Sequence, residues 1–173
     1  MSWTELIAEA RAGAALRHSP AHGERHWRAV AAVGLRIAGL DARVAPDVCL
    51  AFAILHDCRR VSEHRDPQHG PRAADVARGS AVLAGLLGPQ RAELVAAACH
   101  DHNGGAPRQD EPRIGACFDA DRFTLGRVGI EPHPRHFSVI RHDPEFELTV
   151  RFAEAVSDDP PDWGELVAGL GSF

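Results

Sequence analysis

The sequence lacks several features that mark particular classes of protein. Its 173 residues include no Tyr and one Met, and its four Cys form no C-x-x-C pair. We therefore expect reduced, buried thiols rather than disulfides, which suits a cytoplasmic location. No apolar run approaches the roughly 20 residues that cross a bilayer. The N-terminus also lacks the basic-then-apolar pattern of a signal peptide, so we expect a cytoplasmic protein with no membrane association.

An excess of positive charge is also missing. Lys and Arg number 19 against 24 Asp and Glu, which gives a net charge of −5 and argues against a protein that coats nucleic acid. Hydrophobic residues make up 45% and charged residues 25%, which is typical of a globular protein. No segment alternates cleanly as a strand would, and no repeat is present. We predict one all-α domain over residues 1–173.

The spacing of apolar residues predicts a series of helices. Thr4 is the expected N-cap of the first helix, and Pro46 opens a central helix that is apolar nearly all round. Residues 59–68 and 129–142 are rich in polar residues or proline and predict loops. The predicted helices cover about 5–17, 21–40, 46–57, 71–87, 90–100, 114–125 and 144–156, with a short helix at the C-terminus.

The central helix ends in a pair of residues that commonly bind metals. Residues 51–55 are apolar and run directly into His56 and Asp57. An unpaired imidazole and carboxylate at the bottom of a core cost several kcal/mol, so a compensating group is expected. A divalent metal ion would compensate both. The alternative is a histidine favoured by the helix dipole, beside an unrelated Asp.

Further ligand-type residues recur at the ends or inner faces of the other predicted helices. His22 and His26 are four residues apart and share a helix face. His69 begins one helix and His102 ends another, while Asp119 and Asp121 lie in a third. Helical bundles build metal sites in this way, with one or two inward groups from each helix. For His69, a helix-start histidine is an equal alternative, and His22 is either a substrate contact or a solvent-facing residue.

In this order, the motifs resemble the HD-domain superfamily of metal-dependent phosphohydrolases. The resemblance covers about residues 21–130. Within the superfamily, the sequence is similar to one small bacterial subgroup whose members are largely uncharacterised. It rests on the strings His22-Gly-Glu-Arg-His-Trp27, Leu55-His-Asp57, His69-Gly-Pro-Arg-Ala-Ala74 and Asp119-Ala-Asp-Arg122. It implies an all-α HD-type bundle with a central metal site. The sequence departs from the pattern at Thr124, where many relatives have Asp.

The resemblance also implies which residues hold the metal. The four expected ligands are His26, His56, Asp57 and Asp121, with Asp119 as a neighbour. His69 and His102 would serve a second metal, bridged to the first by Asp57. The surface alternative for Asp121 is an ion pair with Arg122 or Arg127. The choice between Asp119 and Asp121, and between one metal and two, stays open at this point.

The ligand types suit Mn, Fe, Co, Ni, Zn or Mg. Such a metal lowers the pKa of a bound water and neutralises phosphoryl charge, which predicts hydrolysis of a nucleotide or another small phosphorylated metabolite. Arginines and an acid near the motifs are the candidate phosphate-binding or catalytic residues: Arg59, Arg60, Arg72, Arg122 and Asp101. No residue pattern for an organic cofactor is present. Two alternatives remain, a six-ligand di-iron oxygenase of HD type and a non-catalytic module that senses a nucleotide. Substrate identity and oligomeric state are open.

Overall fold

A computed structural model describes all 173 residues and contains helices but no strands. The predicted all-α class is confirmed. No helix combines the length and apolar character that a membrane span requires. The α-helices are α1 Trp3–Ala12, α2 Glu24–Leu40, α3 Pro46–Leu55, α4 His69–Gly79, α5 Ala81–Leu87, α6 Pro89–Asp101, α7 Pro112–Phe123, α8 Glu145–Asp158 and α9 Trp163–Gly169. Short 3₁₀ turns cover Thr124–Val128, Pro134–His136 and Leu170–Ser172.

Helix α3 is the centre of the bundle. Every residue from Val48 to Leu55 is buried, so the helix has no solvent-facing side. It packs against α2, α6 and α7 among other helices, and 44 buried hydrophobic residues form one cluster around it. The apolar run that predicted a central helix therefore predicted its burial correctly. Because α3 ends inside this cluster, the two residues that follow it, His56 and Asp57, are buried in the core.

The first helix differs from its prediction at both ends. Ser2, not Thr4, is the N-cap, and it forms a capping box in which the Glu5 N–H donates to Ser2 Oγ (3.3 Å). The helix ends at Ala12 with Gly13 as its C-cap, five residues before the predicted end. Apolar residues beyond Gly13 extended the periodic pattern without belonging to the helix.

Two serines account for the other differences in helix boundaries. Ser19 Oγ accepts the N–H groups of Ala21 (3.1 Å) and His22 (2.9 Å), which holds residues 19–23 in turns and delays α2 to Glu24. Ser80 caps α5 through the Leu83 N–H (3.0 Å), so the single helix predicted over 71–87 is two helices. Side-chain hydrogen bonds to the backbone compete with the helix in both places.

Candidate metal centre

The end of α3 places His56 and Asp57 beside the first turn of α2. His56 and His26 are 1% and 2% exposed, and their Nε2 atoms lie 3.1 Å apart. Asp57 Oδ2 is 3.8 Å from each of those two nitrogens. Thus the two histidines and the carboxylate that the resemblance singled out converge on one buried point.

His69 and His102 form a second convergence on the other side of Asp57. His69 starts α4 and His102 caps α6, and both are buried. Their Nε2 atoms are 2.8 Å apart, and His69 Nε2 is 3.3 Å from Asp57 Oδ1. The two helices approach closely because Gly70 faces the α6 backbone, where an added Cβ would lie 2.6 Å from Cys99 O.

Backbone carbonyls fix the orientation of three of these imidazoles. Nδ1 is paired with the carbonyl three residues earlier in His56 (3.0 Å to Ala53 O), His69 (2.5 Å to Asp66 O) and His102 (2.7 Å to Cys99 O). A carbonyl only accepts, so the proton is on Nδ1 in the neutral ring. Each Nε2 therefore carries a lone pair that points into the site, which is the arrangement that metal-binding histidines use.

This donor set fits a cation. The lone pairs of His69 and His102 that face each other across 2.8 Å repel unless a positive charge lies nearby. Asp57 is 5% exposed and its Oδ1 has no hydrogen-bond partner. A buried carboxylate oxygen without a donor is costly, and a metal ion would satisfy it. The residues thus form buried His/Asp groups that could hold a metal ion.

Two such groups are present, and they share one residue. His26, His56 and Asp57 each offer an atom within 4.8 Å of the others, and so do Asp57, His69 and His102. The two oxygens of Asp57 face different groups, since Oδ2 is directed to the first and Oδ1 to the second. Asp57 is therefore shared by the two groups of potential ligands.

The two aspartates of α7 point in different directions. Asp121 Oδ1 lies 3.3 Å from His26 Nε2, so Asp121 belongs to the site. Asp119 is fully buried elsewhere and accepts the N–H groups of Ser138 (2.7 Å) and Val139 (2.7 Å). It anchors the irregular segment after residue 129 to α7. Thr124, where the sequence departs from the HD-domain pattern, donates its hydroxyl to Asp121 O (2.7 Å) and contributes no carboxylate.

Burial shifts the pKa values at the site. Desolvation, together with the Arg127 charge, lowers the pKa of His26 to about 3, so this imidazole is neutral at pH 7. Burial alone would raise the pKa of Asp57, but the adjoining imidazoles, His56 foremost, hold it below its usual value. Burial alone would likewise raise the pKa of Asp121, but the hydrogen bond with His26 together with the interactions of His56 and Arg127 holds it well below its usual value. Neutral imidazoles and ionised carboxylates are the protonation states that bind metals.

Arg59 and Arg60, which follow the His-Asp pair, point in different directions. Arg60 lies in a cleft above Asp57, with Nη1 3.8 Å from Asp57 Oδ1, while Nε and Nη2 donate to the carbonyls of Ser62 (3.0 Å) and His64 (2.9 Å). Arg59 turns away and donates to Ala10 O (3.2 Å) at the end of α1. One residue along the turn is enough to reverse the direction of the side chain.

The other three polar candidates have protein partners of their own. Arg72 pairs with Asp66 (2.6 Å) and donates to Arg59 O (3.0 Å), outside the cleft. Asp101 is half exposed and pairs with His100 Nδ1 (2.6 Å). Arg122 lines the cleft, but its two Nη groups donate to His136 O (2.7 Å) and Gly105 O. Phosphate or catalytic roles for these three residues stay predictions.

Two further residues lie beside the metal groups: Arg127, which was not predicted as part of the site, and His22, which was left open between a substrate contact and a solvent-facing residue. Arg127 Nη2 lies 3.2 Å from His26 Nε2, and its other nitrogens donate to Ala21 O (2.8 Å) and Thr124 O (2.9 Å). His22 Nδ1 is buried without a hydrogen-bond partner, 3.4 Å from Asp57 Oδ2. Arg127 sits in a 3₁₀ turn without periodicity, so only its position six residues after Asp121 could have indicated it.

These residues line a cleft of about 380 Å³, here called the inner cleft. Its floor is formed by Asp57, His69, His102 and Asp121, and guanidinium groups of Arg60 and Arg127 lie on its walls. A larger groove of about 590 Å³ lies between α2, α8 and α9, away from the histidines. Only the inner cleft combines open space with the candidate metal ligands, so it is the candidate functional site.

Comparison of the chain with protein-family models, with curated proteins and with solved structures finds no match in any of the three. The resemblance to HD-domain proteins therefore stays a prediction that rests on the motifs.

Proposed function

We propose that the protein is a metal-dependent phosphohydrolase of HD type that acts on a nucleotide or another small phosphorylated metabolite. The observation that carries the proposal is the position of four members of the ligand groups on the floor of the inner cleft, beside two fixed guanidinium groups; the four are Asp57, His69, His102 and Asp121. His26, His56, Asp57 and Asp121 would hold one divalent metal, and His69 and His102 with Asp57 would hold a second. The bound metal would supply Lewis-acid polarisation and an acidified water.

The chain itself would bind and orient the phosphoryl group. Arg60 and Arg127 are each held by two backbone carbonyls, and each directs a remaining Nη toward the metal groups. Guanidinium groups bind phosphate oxygens through charge-assisted hydrogen bonds. Because their anchors are already formed, the two arginines would need little reorganisation as negative charge develops. This supports phosphoryl chemistry over reactions of uncharged substrates.

A di-iron oxygenase is the second candidate. The observation in its favour is the pair of metal groups bridged by Asp57, which together with Asp121 offers six protein ligands. The two guanidinium groups favour the hydrolase, since an oxygenase does not in general need them. A nucleotide-sensing module without catalysis would use the same cleft, and it differs from both enzymes by the absence of turnover.

Metal analysis combined with activity assays distinguishes the hydrolase, the oxygenase and the sensing module. Protein purified without chelator is analysed for metals and then supplied in turn with Mn, Co, Ni, Zn, Mg or Fe(II). We expect inorganic phosphate to be released from small phosphate esters, and we expect Asp57→Ala to abolish the release. Two irons per chain with O₂ consumption and no phosphate release would favour the oxygenase. Tight nucleotide binding without turnover under any metal would favour the sensing module.

A further inference from the structure

A second cleft opens directly beside the inner cleft. It has a volume of about 390 Å³, is here called the outer cleft, and is lined by residues 104–107 and by segments of 122–137. The two clefts share the lining residues Gly104, Arg122, Leu125 and Ile130, so they adjoin one another. A ligand of ordinary metabolite size could therefore have one part over the metal groups and the other part in the outer cleft.

The outer cleft differs from the inner one in its chemistry. Apolar surface comes from Pro107, Leu125, Ile130 and Pro132, among other residues. Ile130 is 53% exposed and lines both clefts. Such surface at the mouth of a site is typical of ligand contact.

Charge in the outer cleft does not suit an anion. Its lining holds one carboxylate, Glu131, one guanidinium, Arg122, and two imidazoles, His133 and His136. Both Nη groups of Arg122 already donate to the carbonyls of His136 and Gly105. Each imidazole already accepts a hydrogen bond from Arg135, at His133 Nδ1 (3.3 Å) and at His136 Nε2 (2.9 Å). A further phosphate placed here would face Glu131 and apolar walls, and the guanidinium in the lining is already engaged, which is unfavourable.

The walls of the outer cleft are tied together before any ligand binds. Arg122 joins the loop after α6 to the segment after residue 129 through those two carbonyls, and its guanidinium lies 5.4 Å from the Phe118 ring centre. Asp119 holds the same segment through the Ser138 and Val139 N–H groups. The cleft therefore has a fixed shape, and a fixed shape discriminates between ligands at a low entropic cost.

We propose that the outer cleft is the subsite for the leaving group, that it takes an uncharged, partly apolar organic group, and that the substrate is a phosphomonoester rather than an oligophosphate. This rests on the proposed function, which places the phosphoryl group in the inner cleft. In the reaction, water adds to phosphorus and the ester P–O bond breaks. The leaving oxygen receives a proton from that water, so the products are an alcohol and inorganic phosphate.

Binding of phosphonates to the Mn-loaded protein tests the proposal without turnover. Calorimetry would compare phenylphosphonate, methylphosphonate and methylenediphosphonate. We expect phenylphosphonate to bind on the order of tenfold more tightly than methylphosphonate, since its ring gains apolar contact. We expect methylenediphosphonate to bind more weakly than phenylphosphonate, because its second phosphonate would face Glu131 and a guanidinium that is already engaged.

Two single-residue variants test whether the preference for the phenyl group arises in the outer cleft. Ile130→Ser should reduce the advantage of the phenyl group over the methyl group to about threefold or less. Leu148→Ser is the matched control, because Leu148 is 45% exposed on α8 and lines neither cleft. This control should keep the full advantage of the phenyl group.

Equal binding of the phenyl and methyl compounds, or tighter binding of the diphosphonate, would overturn the subsite. Absence of binding by all three would overturn it together with the phosphate site of the inner cleft. If the phosphonates bind in the expected order and phenyl phosphate is not hydrolysed, the subsite stands and the proposed hydrolysis fails.

Discussion

His69 Nε2 lies 2.8 Å from His102 Nε2, while the Nδ1 of each ring is bonded to a carbonyl three residues earlier. Two lone pairs therefore face each other inside the protein, next to Asp57 Oδ1. A cation removes this repulsion only in the folded state, because the two helices that carry the rings separate on unfolding. Metal binding and fold stability should accordingly be linked.

Added Mn or Ni should raise the melting temperature, and a chelator should lower it. At a metal concentration about 100 times the Kd, the stabilisation is about 2.7 kcal/mol. For a chain of this size, that corresponds to a shift of roughly 5–10 °C. Differential scanning fluorimetry with and without EDTA measures it. An unchanged melting temperature across the whole metal series would contradict the metal site.

Loss of the central pair should remove the metal. We expect His56→Ala and Asp57→Ala to lose bound metal and phosphate release together, as measured by metal analysis of the purified variants. His142→Ala is the control, since His142 is exposed and lies outside the inner cleft. A double variant of His56 and Asp57 that keeps stoichiometric metal would refute the ligand assignment.

Arg127 should contribute to turnover rather than to metal content. Arg127→Lys removes the fixed guanidinium and keeps a positive charge, so we expect kcat/KM for a phosphomonoester to fall about 10- to 100-fold with metal stoichiometry unchanged. Steady-state kinetics and metal analysis of the same preparation test this. Exposed Arg151→Ala should leave the rate as it is. If the Lys variant retains the full rate, Arg127 does not bind the phosphoryl group.

Gly70 should control the spacing of the second metal group. An added Cβ would lie 2.6 Å from Cys99 O and 2.9 Å from His100 O, so Gly70→Ala must push α4 away from α6. We expect a loss of about 1–3 kcal/mol in the free energy of unfolding and weaker metal binding. Gly79→Ala on the same helix meets no atom within 4 Å and should be tolerated. Equal behaviour of the two variants in urea unfolding would exclude this role.

Glu24 should give the fold a defined acid sensitivity. Although partial burial opposes its ionisation, hydrogen bonds from Arg11, Trp163 and Arg17 lower the pKa of Glu24 to about 2. Since the folded pKa lies below the unfolded value of about 4.5, the stabilisation is complete above pH 4.5 and is lost as the pH falls toward 2.

Glu24→Gln should therefore cost about 2 kcal/mol at pH 7. The difference from the original protein should shrink as the pH falls from 4.5 toward 2. Urea unfolding at several pH values measures this difference. A gap that stays constant with pH would show that ionisation of Glu24 is not the cause.

The central part of the fold and of the site was predictable, because its physical basis is local in sequence. An apolar run without a polar face predicts a buried helix, and residues that directly follow it in the chain are carried into the core. His56 and Asp57 are such residues. The helix boundaries at Ser2 and Ser80 depend on single hydrogen bonds from side chain to backbone, which periodicity does not register.

The directions of the arginine side chains could not be predicted from the sequence. Arg59 and Arg60 are neighbours, yet one reaches the end of α1 and the other the inner cleft. The difference depends on the direction of a turn, not on residue type. Arg127 reaches the site from a 3₁₀ turn that packs there only after α2 and α7 have come together. Tertiary packing of that kind leaves no periodic signal.

The Nδ1 atoms of His56 and His102 point away from the site and donate hydrogen bonds to backbone carbonyls. Ala53 and Cys99 lie in the last turns of α3 and α6, where carbonyls lack partners within the helix, and the imidazoles of His56 and His102 supply those partners. Occupation of Nε2 by a cation makes the opposite N–H a stronger donor. Loading the site should therefore stiffen two helix ends, so that amide hydrogen exchange in these turns reports occupancy without a substrate.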